Sequence, residues 1–177
     1  ASAGVIVPNE SNESALSELA RVLREEEPLL LVGAGSSARV GYPTWGELLD
    51  TIERCVIEAD PARAEEVRAL REVDDDLWRA EQYRKMLGED RFAAFIQAHF
   101  GPREPTHTRF HERLLALPWR HVLTTNYDPT LEYAHQALFH ARPVSLLWND
   151  ARAAEELVAR SHEPRYARRY VYVHGRY

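Results

Sequence analysis

The sequence contains a single cysteine, Cys55, among its 177 residues. One thiol can build neither a disulfide framework nor a cysteine-based zinc site within this chain. An excess of basic residues is also missing, because the net charge is −6 at pH 7. Proteins that bind nucleic acid through many phosphate contacts need such an excess, so we expect no direct nucleic-acid binding by this chain.

Long apolar segments are missing as well. No run approaches the roughly 20 residues that span a membrane, and residues 1–14 lack the basic start and apolar stretch of a signal peptide. We therefore expect a cytoplasmic protein in a reducing environment, without membrane contact. The hydrophobic content of 45% is typical of a globular domain with its own core.

The order of the predicted elements indicates an α/β protein. Residues 1–13 are polar, and we expect a flexible arm there, followed by a helix that Ser14 caps. The remainder, 14–177, is expected to form one domain. Short apolar runs predict strands at 29–32, 121–125, 143–147 and 170–173. The first run is continuously apolar, so we expect that strand to be buried on both faces.

Helical patterns lie between these strands. One helix is predicted to start at Thr44 and another to run from Pro129 to His140, while 60–117 reads as a helical insertion. Helices within the insertion are predicted near 61–72, 75–87, 89–99 and 105–116. Helices that alternate with strands are typical of an open, parallel, Rossmann-like sheet, which binds ligands at the carboxyl ends of its strands.

A glycine-rich segment follows the first predicted strand. Residues 33–38 read GAGSSA and match the G-x-G-x-x-G/A pattern, in which glycines let the backbone approach a pyrophosphate. A tight turn without a ligand is the alternative interpretation. A dehydrogenase would place an acidic residue at the end of a second strand about 20 residues later. Here Asp50 and Glu53 lie in a helical pattern instead, so hydride transfer is disfavoured.

Polar side chains also follow the second and fourth predicted strands. Asn126 can bind a ribose hydroxyl or orient a water, and Asp128 can accept from a carboxamide or cap the next helix. His174 is suited to act as a general base. Trp45 is either a core anchor or an aromatic wall of the same pocket. We expect one site, because all these residues follow strand ends.

A metal site is not expected. His107 and His111 are spaced to share a helix face, but the HExxH motif is absent and no third ligand is indicated by the sequence. The alternative to a metal or catalytic role for each histidine is a structural or solvent-exposed one.

Three segments, VGAGSSARVGYPTW, VLTTNYD and VYVHG, resemble in this order the signature segments of the sirtuin superfamily. They are most similar to the bacterial sirtuin-like group, whose middle motif reads TTNYD, and the resemblance covers about residues 25–175. It implies that NAD is bound by Gly33, Ala34, Gly35, Ser36, Ser37, Pro43, Trp45, Thr125, Asn126 and Asp128. It also implies that Asn126 contacts the nicotinamide ribose and the attacking water, that Asp128 holds the carboxamide, and that His174 is the catalytic base.

The sequence departs from the deacylase sirtuins at several positions. Their four-cysteine zinc module is missing, their loop arginine is Gly46 here, and their glutamine before the asparagine is Thr125. Sirtuin-like proteins with these traits are typically NAD glycohydrolases of prokaryotic antiphage defence. The resemblance therefore implies a hydrolase that cleaves NAD to nicotinamide and ADP-ribose without zinc. An NAD-dependent protein deacylase and a non-catalytic NAD or ADP-ribose sensor are the alternatives.

The resemblance also bears on the extent of the domain. The strands that bind the adenosine half of NAD in the family would follow Tyr177, so we expect a domain that is incomplete at its C-terminal end. We expect weak activity of this segment alone. A homo-oligomer, a C-terminal sensor or effector domain, or a partner protein would complete it.

Overall fold

The structure is a computed structural model that describes residues 10–163 and 165–176. Its first helix, α1, spans Glu10–Glu25 and so begins four residues before the predicted cap at Ser14. Of the arm expected over 1–13, residues 10–13 are helical, and residues 1–9 lie outside the described part of the chain.

Four parallel strands form one open sheet. The strands are β1 Leu30–Val32, β2 Val122–Thr124, β3 Val144–Leu147 and β4 Arg169–Tyr172, in the spatial order β1-β2-β4-β3. Each lies within one residue of its predicted limits. The predicted α/β class with an open parallel sheet is therefore confirmed.

The register aligns the carboxyl ends of three adjacent strands. Val32 is paired with Thr124, and Thr124 is paired with Tyr172. Backbone hydrogen bonds continue past these pairs, because the amide of Thr125 donates to Val32 at 3.2 Å and that of Val173 donates to Thr124 at 2.9 Å. The segments after β1, β2 and β4 consequently leave the sheet side by side.

Helices connect and cover the strands. They are α2 Ala34–Ser37, α3 Trp45–Ala59, α4 Ala64–Leu70, α5 Asp76–Leu87, α6 Glu89–Phe100, α7 Arg109–Leu115, α8 Thr130–Phe139 and α9 Ala151–Arg160. Helix α7 is shorter than the predicted 105–116, because Thr108 has an extended backbone and caps it. Helix α9 was not predicted; its alanine-rich sequence favours a helix, and the Asp150 side chain caps it by accepting from the amide of Ala153 at 3.0 Å.

The described residues form two apolar cores. A helical core joins α3, α5 and α6, with Ile52, Tyr83 and Phe95 among its buried members. A sheet core surrounds β2 and β4, where Val122 and Tyr170 are both 0% exposed. No helix in the ranges 10–163 and 165–176 is long and apolar enough to cross a membrane.

The expectation that the first strand is buried on both faces is wrong. Leu31, at the centre of β1, is 69% exposed, whereas its neighbour Val32 is 4% exposed. Strand β1 lies at the edge of the sheet, and no described helix covers the face that carries Leu31. A continuous apolar sequence cannot distinguish a central strand from an edge strand with one open face.

Candidate functional site

A cavity of about 280 Å³ opens where the segments after β1, β2 and β4 meet. Side chains from the helical core form one wall, and the polar ends of the sheet form the other. The lining residues are Ala34, Ser37, Pro43, Thr44, Trp45, Leu48, Leu77, Phe100, Thr125, Asn126, Tyr127, Asp128 and His174.

The structure brings most of the predicted site residues together. Those that line the cavity are Ala34, Ser37, Pro43, Trp45, Thr125, Asn126, Asp128 and His174. Gly33, Gly35 and Ser36 belong to the adjoining turn, beside the described wall. The Ser36 hydroxyl donates to the Gly33 carbonyl at 3.0 Å, which stabilises the turn from within.

Asn126 links the end of β2 to the glycine turn. The residue is 5% exposed, and its Nδ2 lies 3.2 Å from the carbonyl oxygen of Gly33, 3.3 Å from Ser36 Oγ and 2.8 Å from Ser37 Oγ. Because a carbonyl only accepts, the Gly33 contact fixes which side-chain atom is nitrogen. The remaining atom, Oδ1, is buried and has no hydrogen-bond partner among the described residues. Pairing with a ligand or water donor would stabilise this acceptor.

The other polar residues after β2 have local partners. Thr124 is 0% exposed; its hydroxyl donates to the Val32 carbonyl at 3.0 Å and accepts from the Asn126 amide at 3.0 Å. Asp128 Oδ1 accepts from the amide of Thr130 at 3.0 Å, at the start of α8. The N-cap of α8 is Pro129, however, so Asp128 holds the start of the helix from one residue before the cap and the expected capping by Asp128 is not observed. Its contact with a carboxamide stays a prediction.

His174 differs from Asn126 in being exposed. It follows β4, and the next residue, Gly175, has a φ of +101°, a conformation that residues with a side chain rarely adopt. This turn carries His174 over the cavity. A second cavity of about 420 Å³ adjoins the first, and Trp45, Leu48, Leu77, Tyr127 and His174 line both.

The two glycines of the turn have no steric reason within the described chain to be glycine. Neither Gly33 nor Gly35 has a positive φ. A Cβ at Gly33 would lie 3.9 Å from Thr125 Oγ1, an ordinary contact, and a Cβ at Gly35 would meet nothing within 4 Å. Gly33 is the N-cap of α2, a position that favours glycine, and the open space at Gly35 leaves room for a ligand to approach the backbone.

Helix α3 supplies the aromatic side of the cavity. Thr44 caps it in a capping box, in which Glu47 Oε2 accepts from the Thr44 amide at 2.7 Å. The cap fixes the start of the helix, where Trp45 lines the cavity. Trp45 also packs against the helical core. Its side chain is therefore both a core anchor and part of the cavity wall.

Glu53, the buried acidic residue of α3, has its partners outside the described cavity wall. Glu53 is 4% exposed and accepts from Arg71 Nε at 3.0 and 2.9 Å and from the Tyr83 hydroxyl at 3.2 Å. The hydrogen bonds from Arg71 lower the pKa of Glu53. This carboxylate therefore joins α3 to its neighbouring helices and is absent from the described cavity wall. A dehydrogenase-like ribose contact by Glu53 does not fit this geometry.

The histidine pair is engaged by protein groups. His107 Nε2 lies 3.0 Å from Glu112 Oε1, and His111 contacts Thr108 through one ring nitrogen and Ser36 through the other. Because both nitrogens of His111 have partners, the ring has no free atom for a metal. In the part of the chain that the structure describes, no group of three or more potential ligands is placed to hold an ion.

Sequence reasoning missed the apolar wall. Leu77 and Phe100 lie in the helical insertion and carry no motif. Phe100 reaches the cavity from the helical core, and Leu77 reaches it from the first turn of α5. It also missed the link between His111 and the turn. The Thr108-x-x-His111 spacing of a helix cap was the one available signal, and it does not indicate the distant partner.

The fold and the cavity together define an α/β protein with a ligand pocket at the carboxyl ends of parallel strands, beside a glycine turn. No protein-family model matches the chain. The chain is similar to Defense-associated sirtuin 2 of Bacillus subtilis, with 28% identity over 120 residues, which cover 67% of this chain. The match confirms the predicted resemblance. It spans 11% of that relative's length, about a tenth.

Proposed function

We propose that this chain forms the nicotinamide end of an NAD glycohydrolase site. The observation that carries the proposal is the unpaired, buried Oδ1 of Asn126 in a residue that lines the cavity. The rest of that side chain is held by the glycine turn, so the acceptor is fixed in place. A ribose hydroxyl or an attacking water is a donor that would satisfy it.

The reaction requires little covalent chemistry from the protein. The bond between nicotinamide and ribose breaks through an oxocarbenium-like transition state, as in other glycoside cleavage. Asn126 orients the water, and Asp128 orients the leaving carboxamide. His174, exposed at the cavity mouth, draws a proton from the ribose hydroxyl network. Water adds at the ribose carbon, and the products are nicotinamide and ADP-ribose.

The size of the cavity supports binding of part of the dinucleotide. At about 280 Å³ it lies at the small end of ligand pockets, which measure about 300–1,000 Å³. The nicotinamide and its ribose would occupy it, between Trp45 and Asn126. The pyrophosphate would lie on the turn at Gly33 and Gly35, where a Cβ is missing. The adenosine half would extend outside the described wall.

The name of the similar protein suggests the biological setting. Defense-associated sirtuin 2 is named as a defence protein and as a sirtuin. We place this chain in the same setting, as the NAD-cleaving part of an antiphage system. The match covers a tenth of that relative. Control of the activity by a sensor or effector segment, a second copy or a separate partner is part of the proposal.

Release of nicotinamide from NAD by the purified protein tests the proposal. The wild type should release nicotinamide and ADP-ribose in equal amounts. The His174→Ala variant should release neither, and the exposed position of His174 makes a folding defect an inadequate explanation. Tight NAD binding without turnover would instead support the sensor alternative.

The second cavity favours one further candidate, an NAD-dependent deacylase. This cavity of about 420 Å³ shares His174 with the first, and its other lining residues are mainly apolar and aromatic. An acyl chain could reach the ribose carbon from there. Adding an acyl-lysine peptide distinguishes the two activities. A hydrolase releases nicotinamide at the same rate with or without it, whereas a deacylase releases nicotinamide only with it and forms an O-acyl-ADP-ribose.

A further inference from the structure

His111 connects two parts of the chain that are far apart in sequence. It lies on α7, is 0% exposed, and its Nε2 is 3.0 Å from the backbone carbonyl oxygen of Ser36 in the glycine turn. Its Nδ1 is 3.0 Å from both the amide nitrogen and the hydroxyl of Thr108. The backbone amide of Thr108 can only donate, so Nδ1 must accept. The ring hydrogen is therefore on Nε2 and is donated to Ser36.

The turn is thereby held from two sides. On one side His111 binds the Ser36 carbonyl, and on the other Asn126 Nδ2 contacts Gly33, Ser36 and Ser37. Helix α2 has four residues, too few to be stable without outside contacts. Losing the contact from α7 would let the turn relax away from Asn126.

We infer that His111 is a positioning residue, which holds the glycine turn in the shape that Asn126 and the pyrophosphate of NAD require. It touches no reacting atom and acts through Ser36. Because NAD is the ligand, this role rests on the proposed function.

The same contacts make the role dependent on protonation. A proton on Nδ1 would remove the acceptor for Thr108 and break the link at that end. Burial lowers the pKa of His111. The backbone contacts with Ser36 and Thr108, and to a smaller degree the carboxylate of Asp128, oppose that shift, and His107 adds to it. On its own helix Glu112 is paired with His107, and α2 contributes no ionisable side chain. Affinity for NAD should therefore fall on the acid side of the ordinary histidine pKa, about 6.5.

Three variants separate positioning from general stability. His111→Ala removes both hydrogen bonds. His111→Gln keeps an acceptor for Thr108, because glutamine is a common partner of the cap at this position of a helix. The glutamine also keeps a donor for Ser36, and it cannot titrate. His107→Gln is the matched control, since His107 is a neighbouring histidine that contacts Thr106 and Glu112.

The readouts are KM and kcat for NAD across pH, and backbone hydrogen exchange at residues 33–37 without NAD. His111→Ala should raise KM roughly tenfold or more, with a smaller change in kcat, and should speed exchange in the turn. His111→Gln should restore most of the affinity and lose the acid-side weakening. His107→Gln should match the wild type in exchange at 33–37 and in KM at neutral pH, and should keep an acid-side weakening.

Two results would overturn the role of His111. One is a folded His111→Ala protein with wild-type KM and wild-type exchange at 33–37. The other is an affinity for NAD that falls at acid pH in His111→Gln as much as in the wild type. This second result also decides the case if His111→Ala does not fold. If NAD fails to bind the wild type while His111→Ala still speeds exchange in the turn, the proposed function is wrong and the positioning stands.

Discussion

Asn126 and His174 contribute to the candidate site in different ways. Asn126 is buried and holds the glycine turn, so removing its side chain affects both folding and chemistry. His174 is exposed and follows the last strand, so we expect its removal to affect the proposed chemistry alone. We expect Asn126→Ala to lower the free energy of unfolding by about 1–2 kcal/mol, and His174→Ala to change it by less than about 0.5 kcal/mol.

Both variants should lose NAD cleavage, by roughly a hundredfold or more for the loss of a general base. Denaturant unfolding and nicotinamide release, measured on the same preparations, check the two effects separately. Wild-type turnover in a folded His174→Ala protein would show that another group removes the proton.

A Cβ at Gly35 would meet no described protein atom within 4 Å, so a substitution there tests whether a ligand approaches the turn closely. Gly35→Ala should leave stability unchanged or raise it by up to about 1 kcal/mol, because alanine favours the helical backbone of α2. It should weaken NAD binding roughly tenfold. Gly46→Ala is the matched control, since a Cβ there also meets nothing within 4 Å, while Gly46 lies in α3 and not in the glycine turn. Equal NAD affinity in both variants, by calorimetry, would contradict the close approach.

His121 gives the fold a pH dependence that is independent of the site. The residue is 2% exposed; its Nδ1 accepts from the Arg169 amide at 3.1 Å, and Nε2 has no partner in the described chain. Burial, with Arg120 and Arg169 nearby, lowers the pKa of His121 to about 4. Below about pH 6.5 the unfolded chain binds a proton at His121 more readily than the folded chain does. The free energy of unfolding therefore decreases as the pH is lowered from about 6.5, and the decrease levels off near pH 4.

The expected loss from His121 is roughly 3 kcal/mol over this interval. His121→Asn keeps an acceptor for Arg169 and does not titrate, so its unfolding free energy should depend less on pH between 6.5 and 4. Urea unfolding at several pH values measures the difference. Parallel curves for variant and wild type would rule out His121 as the source.

At the level of elements, α3 combines a structural and a site-forming face. Glu53 anchors its structural face to Arg71 and Tyr83, outside the cavity wall that the structure describes. Glu53→Gln should therefore destabilise the protein by about 2 kcal/mol and leave the NAD affinity of the folded protein unchanged. Glu58→Gln, on the exposed side of the same helix, is the control and should be close to neutral. Reduced NAD affinity without a loss of stability would reassign Glu53 to the ribose.

Elements defined by local sequence were predictable. The glycine turn, the polar end of β2 and the cap at Thr44 each carry a signal within a few residues, and the strands lie within one residue of expectation. The exposure of Leu31 was not predictable, because it depends on which elements cover an edge strand. Helix α9 was missed although Ala154, Leu157 and Val158 recur at helical spacing and Asp150 caps its start.

At the scale of the whole molecule, the candidate site lies between the two cores. The segments after the strands supply the polar groups that the sequence indicated, and the helical core supplies Leu48 and Phe100. The polar half could be predicted because parallel strand ends meet at one edge. The apolar half and the contact of His111 with Ser36 depend on long-range packing, which no local pattern encodes.

We propose that the segments after β1, β2 and β4 form one NAD site. Hydrogen exchange with and without saturating NAD can be compared on the His174→Ala protein, in which NAD persists. Bound ligand should slow exchange in all three segments, 33–37, 125–128 and 173–175, and leave α9 unchanged. Protection of none of these segments, or of one without the others, would contradict a single NAD site at the strand ends.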